Sequence, residues 1–163
     1  MRSILGVVQR AGRLLGTVER CACIALVAEI TVVMLLSVVA RYVTKTQLPW
    51  AAEIASYSLA WTTFIAAAIV TDRRGHLGLE GFVRLLPASL RKVARTLSYL
   101  VVLATLIIFV QAGFELVLKT RSQLSAAMRI PVAWAYLSIP VGCILMFVHS
   151  LEQFLAFLVE GGE

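Results

Sequence analysis

Residues 21–40 read CACIALVAEITVVMLLSVVA. Only Glu29, Thr31 and Ser37 interrupt this apolar run, and about 20 helical residues suffice to cross the hydrocarbon core of a bilayer. The apolar region of a secretory leader is about 7–15 residues and ends in a small-residue cleavage site. This run is longer, is followed by Arg41 and shows no such site, so it reads as a retained transmembrane helix.

Three further runs of similar length lie downstream. Residues 50–71 carry Glu53 near their start, 97–118 carry Gln111 and Glu115 toward their end, and 130–149 open at Pro131 and are interrupted by Pro140. None alternates with period two, and lipid cannot satisfy an open sheet edge, so all four read as helices. The expected fold is an all-α integral membrane protein. It has four transmembrane helices and amphipathic interfacial helices in a single membrane domain over 1–163.

Composition agrees. Of 163 residues, 60% are hydrophobic and 15% charged, with a mean hydropathy of +0.90. A fold of this size cannot hide that much apolar surface from water, which excludes a soluble enzyme, a disordered tail and a disulfide scaffold. The net charge of +6 sits between the apolar blocks. It therefore implies membrane lipids as the partner, not nucleic acid.

Charge asymmetry sets the orientation. Arg2, Arg10, Arg13 and Arg20 precede the first span, and Arg73, Arg74, Arg84, Arg91, Lys92 and Arg95 fall in or beside the 72–96 loop. The opposite side has Arg41, Lys45, Lys119, Arg121 and Arg129. The positive-inside rule places both termini and the 72–96 loop in the cytoplasm. Tyr42, Trp50, Trp134 and Tyr136 then fall at outer ends of spans, where amphipathic rings prefer to sit.

The arm 2–20 is amphipathic. Ile4, Val7, Val8, Ala11, Leu14, Leu15 and Val18 fall within an arc of about 120° at helical spacing, with the arginines opposite. Such a helix is expected to lie flat among the headgroups. A second candidate runs through Leu79, Phe82, Val83, Leu85 and Leu86. The outer loops, 41–49 and 119–129, are too short to fold as a capture domain.

Few residues carry chemistry. Glu29 sits near mid-membrane, where a carboxyl must be protonated, paired or turned to a polar interior. It is either a proton or cation site, as in small multidrug exporters, or a buried carboxyl bonded to a neighbouring helix or subunit. Thr62, Thr63, Thr105 and Gln111 are the polar groups it could meet. Glu53 and Glu115 lie within reach of Arg41, Lys45, Lys119 or Arg121 as ion pairs. Cys21, Cys23 and Cys143 read as small buried residues without a redox spacing. His76 and His149 do not supply a facing pair of haem ligands, so a membrane redox protein is disfavoured. Pro140 is expected to kink the fourth span by freeing the carbonyl of Tyr136. Ala52, Ser56 and Ala60, at fourfold spacing, would admit a close helix neighbour. No catalytic group, metal site or cofactor site is expected.

Several segments together resemble a known family. Pro49-Trp50-x-x-Glu53, Trp61-x-x-Phe64, Ala67-Ala68, Arg73 and His76-x-x-x-Glu80 are similar to the hallmark segment of the small membrane subunit, DctQ, of tripartite ATP-independent periplasmic (TRAP) transporters. Arg41-Tyr42, Gln123-x-Ser125, Ile130-Pro131, Trp134-x-Tyr136-Leu137 and Pro140-Val141-Gly142 fit the same pattern in the same order. The sequence departs from it at Ala66 and Arg129, where glycine is common, at Ala126, where proline is common, and at Glu80 for Asp.

The resemblance implies a heteromeric secondary transporter of the bacterial inner membrane. A periplasmic solute-binding protein captures the solute, often a carboxylate. A large permease subunit carries the substrate and sodium sites of the symport, and the small subunit braces it. The chain looks like the separate rather than the fused form. The residues expected to matter for structure or subunit contact are Glu29, Arg41, Trp50, Glu53, Trp61, His76, Glu115, Trp134 and Pro140. The alternative reading is a small proton-coupled exporter using Glu29.

Overall fold

A computed structural model describes residues 2–74 and 88–159, with side chains at 15–72 and 90–159. The second amphipathic stretch and His76 lie outside the described residues. The elements are α1 (Arg2–Val39), a π-helical turn (Ala40–Thr44), α2 (Pro49–Arg74), α3 (Ala88–Thr120), α4 (Ala133–Tyr136) and α5 (Ser138–Val159). Among the described residues, four segments are long and apolar enough to cross a membrane: Leu15–Thr44, Pro49–Asp72, Leu90–Thr120 and Ala133–Val159. The fold is thus an all-α membrane protein, as its apolar runs require.

The boundaries differ from the sequence reading in instructive ways. Helix α1 continues from the arm into the first span with no interruption at residue 20. The arm is therefore an extension of that span, and Val18, assigned to the apolar face, is 66% exposed while Glu19 is buried. The fourth span begins later and runs ten residues further than expected, which moves His149 from its end to its interior.

The helical path through the fourth span is interrupted one turn before Pro140. Helix α4 ends at Tyr136, the residue whose carbonyl Pro140 cannot bond, and α5 starts at Ser138, while Leu137 between them stays in the right-handed helical region with φ −61° and ψ −24°. The Leu137 N–H still donates to the Ala133 carbonyl and the Val141 N–H to the Leu137 carbonyl. Pro49 opens α2, where a missing N–H costs no intrahelical bond. At the other end of α1, the π turn is closed by Lys45 in the left-handed region, φ 54°.

The helices do not close into a bundle. Helix α1 packs on α2, α2 on α5, and α5 on α3, while α1 touches α5 only slightly. The result is a single row in the order α1–α2–α5–α3. Glycine sets the two closest approaches in the row. A Cβ added at Gly142 would lie 2.5 Å from Phe64 Cβ and 3.2 Å from the Phe64 carbonyl carbon and oxygen, so α5 lies directly against the α2 backbone. A Cβ at Gly113 would lie 2.9 Å from Pro140 Cδ, which seats α3 against the start of α5. Small residues matter for packing in membranes because close approach supplies dispersion contact that lipid would otherwise provide. The Ala52 and Ser56 positions expected to do this are exposed instead.

Candidate functional site

The row has two polar ends and a polar point midway. At the end holding the 45–48 and 121–132 loops, Glu53 stands one turn into α2. Its Oε1 accepts the Ala127 N–H at 2.6 Å and its Oε2 accepts the Met128 N–H at 2.9 Å. Two adjacent amides of a loop 74 and 75 residues away thus close on one carboxylate. Charge-assisted bonds of this kind are about twice as strong as neutral ones. The ion pair expected for Glu53 is replaced by these amides.

The loop itself is pinched shut. The Ser125 N–H donates to the Ile130 carbonyl at 2.9 Å and the Val132 N–H to the Gln123 carbonyl at 2.9 Å. The Ile130 N–H also donates to Ser125 Oγ at 3.3 Å. Within this loop Arg129 lies in the left-handed region with φ 53°. That is the position where the resembled family commonly has glycine, the residue that adopts this region without steric cost. A second tie comes from Trp61, whose indole Nε1–H donates to the Trp134 carbonyl at 3.1 Å.

Midway, α1 presents Ala22, Leu26, Glu29, Ile30, Val33 and Ser37 as a half-buried stripe, flanked by exposed residues at Val27, Val32 and Leu36. Glu29 Oε2 is buried without a hydrogen-bond partner, and so is Tyr57 Oη on α2. Thr105 and Gln111 belong to α3, at the far edge of the row, so the expected meeting of Glu29 with those groups does not occur.

The opposite end holds a cluster that sequence reasoning missed. His149 is fully buried, and its Nε2 lies 3.0 and 3.2 Å from the two oxygens of Glu19, itself 3% exposed. His149 Nδ1 faces Asp72 Oδ1 at 3.7 Å, beyond hydrogen-bond range. One turn along α5, Gln153 Nε2 donates to the Thr71 carbonyl at 2.6 Å, one of the last carbonyls of α2. The Glu19–His149 contact therefore ties α1 to α5, and the Gln153 amide ties α5 to α2, with the Asp72 carboxylate nearby. The only sequence signal was an acid inside an otherwise apolar and basic arm.

The remaining expected residues stay apart from these clusters. Glu115 pairs with Lys119 at 2.6 Å on the exposed surface of α3, one of the ion pairs expected of it. Arg41 is exposed in the π turn, and Trp50 is half-buried at the start of α2. Of the cysteines, only Cys143 is buried; Cys21 is exposed and Cys23 half-buried, facing the apolar surroundings of α1. A groove of about 570 Å³ opens beside α3 and α5, lined by Phe64, Leu106, Phe109, Gly113, Cys143 and Met146 among others. Its lining is almost wholly apolar, whereas a solute path needs polar groups converging from several helices.

The family model described as "Tripartite ATP-independent periplasmic transporters, DctQ component" matches residues 30–159. That range contains Glu53, the pinched loop, Trp61, Trp134 and His149. The chain is also 25% identical over 84 residues to the "C4-dicarboxylate TRAP transporter small permease protein DctQ" of Vibrio cholerae serotype O1 (strain ATCC 39315 / El Tor Inaba N16961). The match covers 52% of this chain and 36% of the relative, so the chain spans about a third of that protein's length.

Proposed function

The chain belongs to the DctQ component family of tripartite ATP-independent periplasmic transporters, and we propose that it acts as the small, non-conducting subunit of such a transporter. It works with a large permease subunit and a periplasmic solute-binding protein to import a carboxylate solute on a sodium gradient. The C4-dicarboxylate in the Vibrio relative's name is the first solute to test.

The observation that carries this reading is the family match, which spans most of the row and includes both ends of the Glu53 clamp. The geometry supports a bracing role. A row of four helices presents two broad apolar faces, with Ile24 70%, Val32 64%, Leu97 59% and Ile108 64% exposed. Such a surface suits packing against a larger membrane body. Glu53, Trp61, His149 and Gln153 tie helices and loops to one another. An exporter using Glu29 draws no support from this arrangement, because the polar groups of α3 lie across the row.

The positive-inside rule orients the row. The clamped 121–132 loop faces the periplasm, where it is placed to meet the solute-binding protein. The His149 cluster and both termini face the cytoplasm of a bacterial inner membrane. Coexpression with the organism's large permease tests the assignment. A tag on this chain should recover the permease in equimolar amount from detergent extracts; recovery of this chain alone, with the permease intact in the same membranes, contradicts it.

A further inference from the structure

Glu29 lies where a carboxyl is most costly to leave unsatisfied. Helices α1 and α2 run antiparallel, with Gly16 beside Asp72. Each helix rises about 1.5 Å per residue. Counting inward from that contact brings Glu29, about 20 Å deeper, level with Leu59, near the middle of both spans. One carboxyl oxygen is buried in the seam without a partner, and the half-buried side chain leaves the other at the seam's edge. Neither makes a hydrogen bond among the described residues. Lipid tails offer no donor, so a bare carboxyl facing them is unstable at this depth.

Its surroundings show what can cover it. Helix α1 is an edge of the row with α2 as its main neighbour, and Ala25, Val32 and Leu36 beside Glu29 are exposed. We infer that the α1–α2 seam at Glu29 is where the large permease subunit docks, through a transmembrane helix that brings a hydrogen-bonding side chain to this carboxyl. The inference rests on the subunit reading above and adds the place and the chemistry of contact. Apolar packing over Val32 and Leu36 supplies area, and the polar pair fixes depth and rotation. Single polar contacts serve this purpose in apolar interfaces because only one register satisfies them.

A rival occupant exists within the chain. Tyr57 Oη is also orphaned, and the same count puts Tyr57 about 3 Å along the axis from the level of Glu29. Rotation of the two side chains could pair them with no other protein.

The test uses the coexpressed complex, with a photo-crosslinking residue at Val32 and, separately, Glu29→Gln, Glu29→Leu and Tyr57→Phe. The expected result is a crosslink from position 32 to the permease, tenfold or greater loss of copurified permease for Glu29→Leu, and near-normal recovery for Glu29→Gln and Tyr57→Phe. The crosslink is read in the unsubstituted Glu29 background, so misfolding of a variant cannot decide it. An intact complex with no crosslink at 32, or one that crosslinks there only to a second copy of this chain, overturns the inference. So does equal loss for Tyr57→Phe and Glu29→Leu, which would mark an internal pair. If the parent chain recovers no permease at all, the subunit reading fails instead.

Discussion

His149 and Glu19 meet at 3.0 Å across two helices that otherwise scarcely touch. The contact joins residues 130 positions apart and fastens the edge helix α1 to the centre of the row. Removing one member of a buried ionisable pair strands the other, whereas removing both at similar volume does not. His149→Leu should therefore destabilise the protein by about 3 kcal/mol. Adding Glu19→Leu should recover most of that loss. Thermal unfolding of the single and double variants in detergent checks this. Additive losses would mean that the two side chains do not interact.

The Glu53 clamp is best read at the loop it holds. Loop 121–132 contains Arg121 and Arg129, so trypsin reports its opening directly. Glu53→Ala should speed cleavage at least tenfold by releasing the Ala127 and Met128 amides. Glu53→Gln should fall between, because an amide oxygen can take one N–H while its own NH₂ repels the other. Unchanged cleavage in Glu53→Ala would remove the clamp from the account.

At Gly142 the neighbour is backbone rather than a movable side chain. Gly142→Ala should destabilise by about 1–3 kcal/mol, as overpacking does. Phe64→Ala should not rescue it, because the atom 2.5 Å away is Phe64 Cβ, which alanine keeps. Rescue, seen as a restored melting temperature, would show that the ring and not the backbone sets the spacing of α2 and α5.

Arg129 offers the opposite case. Its φ of 53° costs a non-glycine residue about 1–2 kcal/mol. Arg129→Gly should therefore stabilise the pinched loop and slow cleavage at Arg121, while Arg129→Val should accelerate it. Equal behaviour of the two variants would mean that the left-handed turn is not maintained.

Much of the fold was readable because a bilayer makes such simple demands. Apolar runs of sufficient length named four helices. The half-buried stripe through Glu29 emerges only in the structure, because the uniformly apolar run 21–40 distinguishes neither a packing face nor the helix it packs against. The row order, and with it the separation of Glu29 from Thr105 and Gln111, was therefore not legible. At Pro140 the missing N–H was legible in the sequence, and the helix is interrupted at Leu137, next to the Tyr136 carbonyl that a proline cannot bond. Glu53 was singled out correctly and given the wrong partners. Side-chain type invites an ion pair, yet the loop's unsatisfied amides were nearer. The Glu19–His149–Asp72 cluster joins three distant segments with no local motif, and only the packing of α1, α2 and α5 brings it together.

Orientation has its own test. With the native cysteines replaced, single cysteines at Gln47 and Gly78 can be labelled in intact cells by an impermeant reagent. Labelling at 47 alone is the result that the proposed orientation predicts. Labelling at 78 alone would invert the row and carry the clamped loop to the cytoplasm.

In the proposed role this chain serves a transporter without conducting solute itself. Uptake into proteoliposomes tests it most directly, with an inward sodium gradient, a labelled C4-dicarboxylate and controlled addition of each component. No uptake is expected from this chain alone or with the solute-binding protein, and uptake only when the large permease is also present. Gradient-driven uptake by the purified chain alone would contradict it.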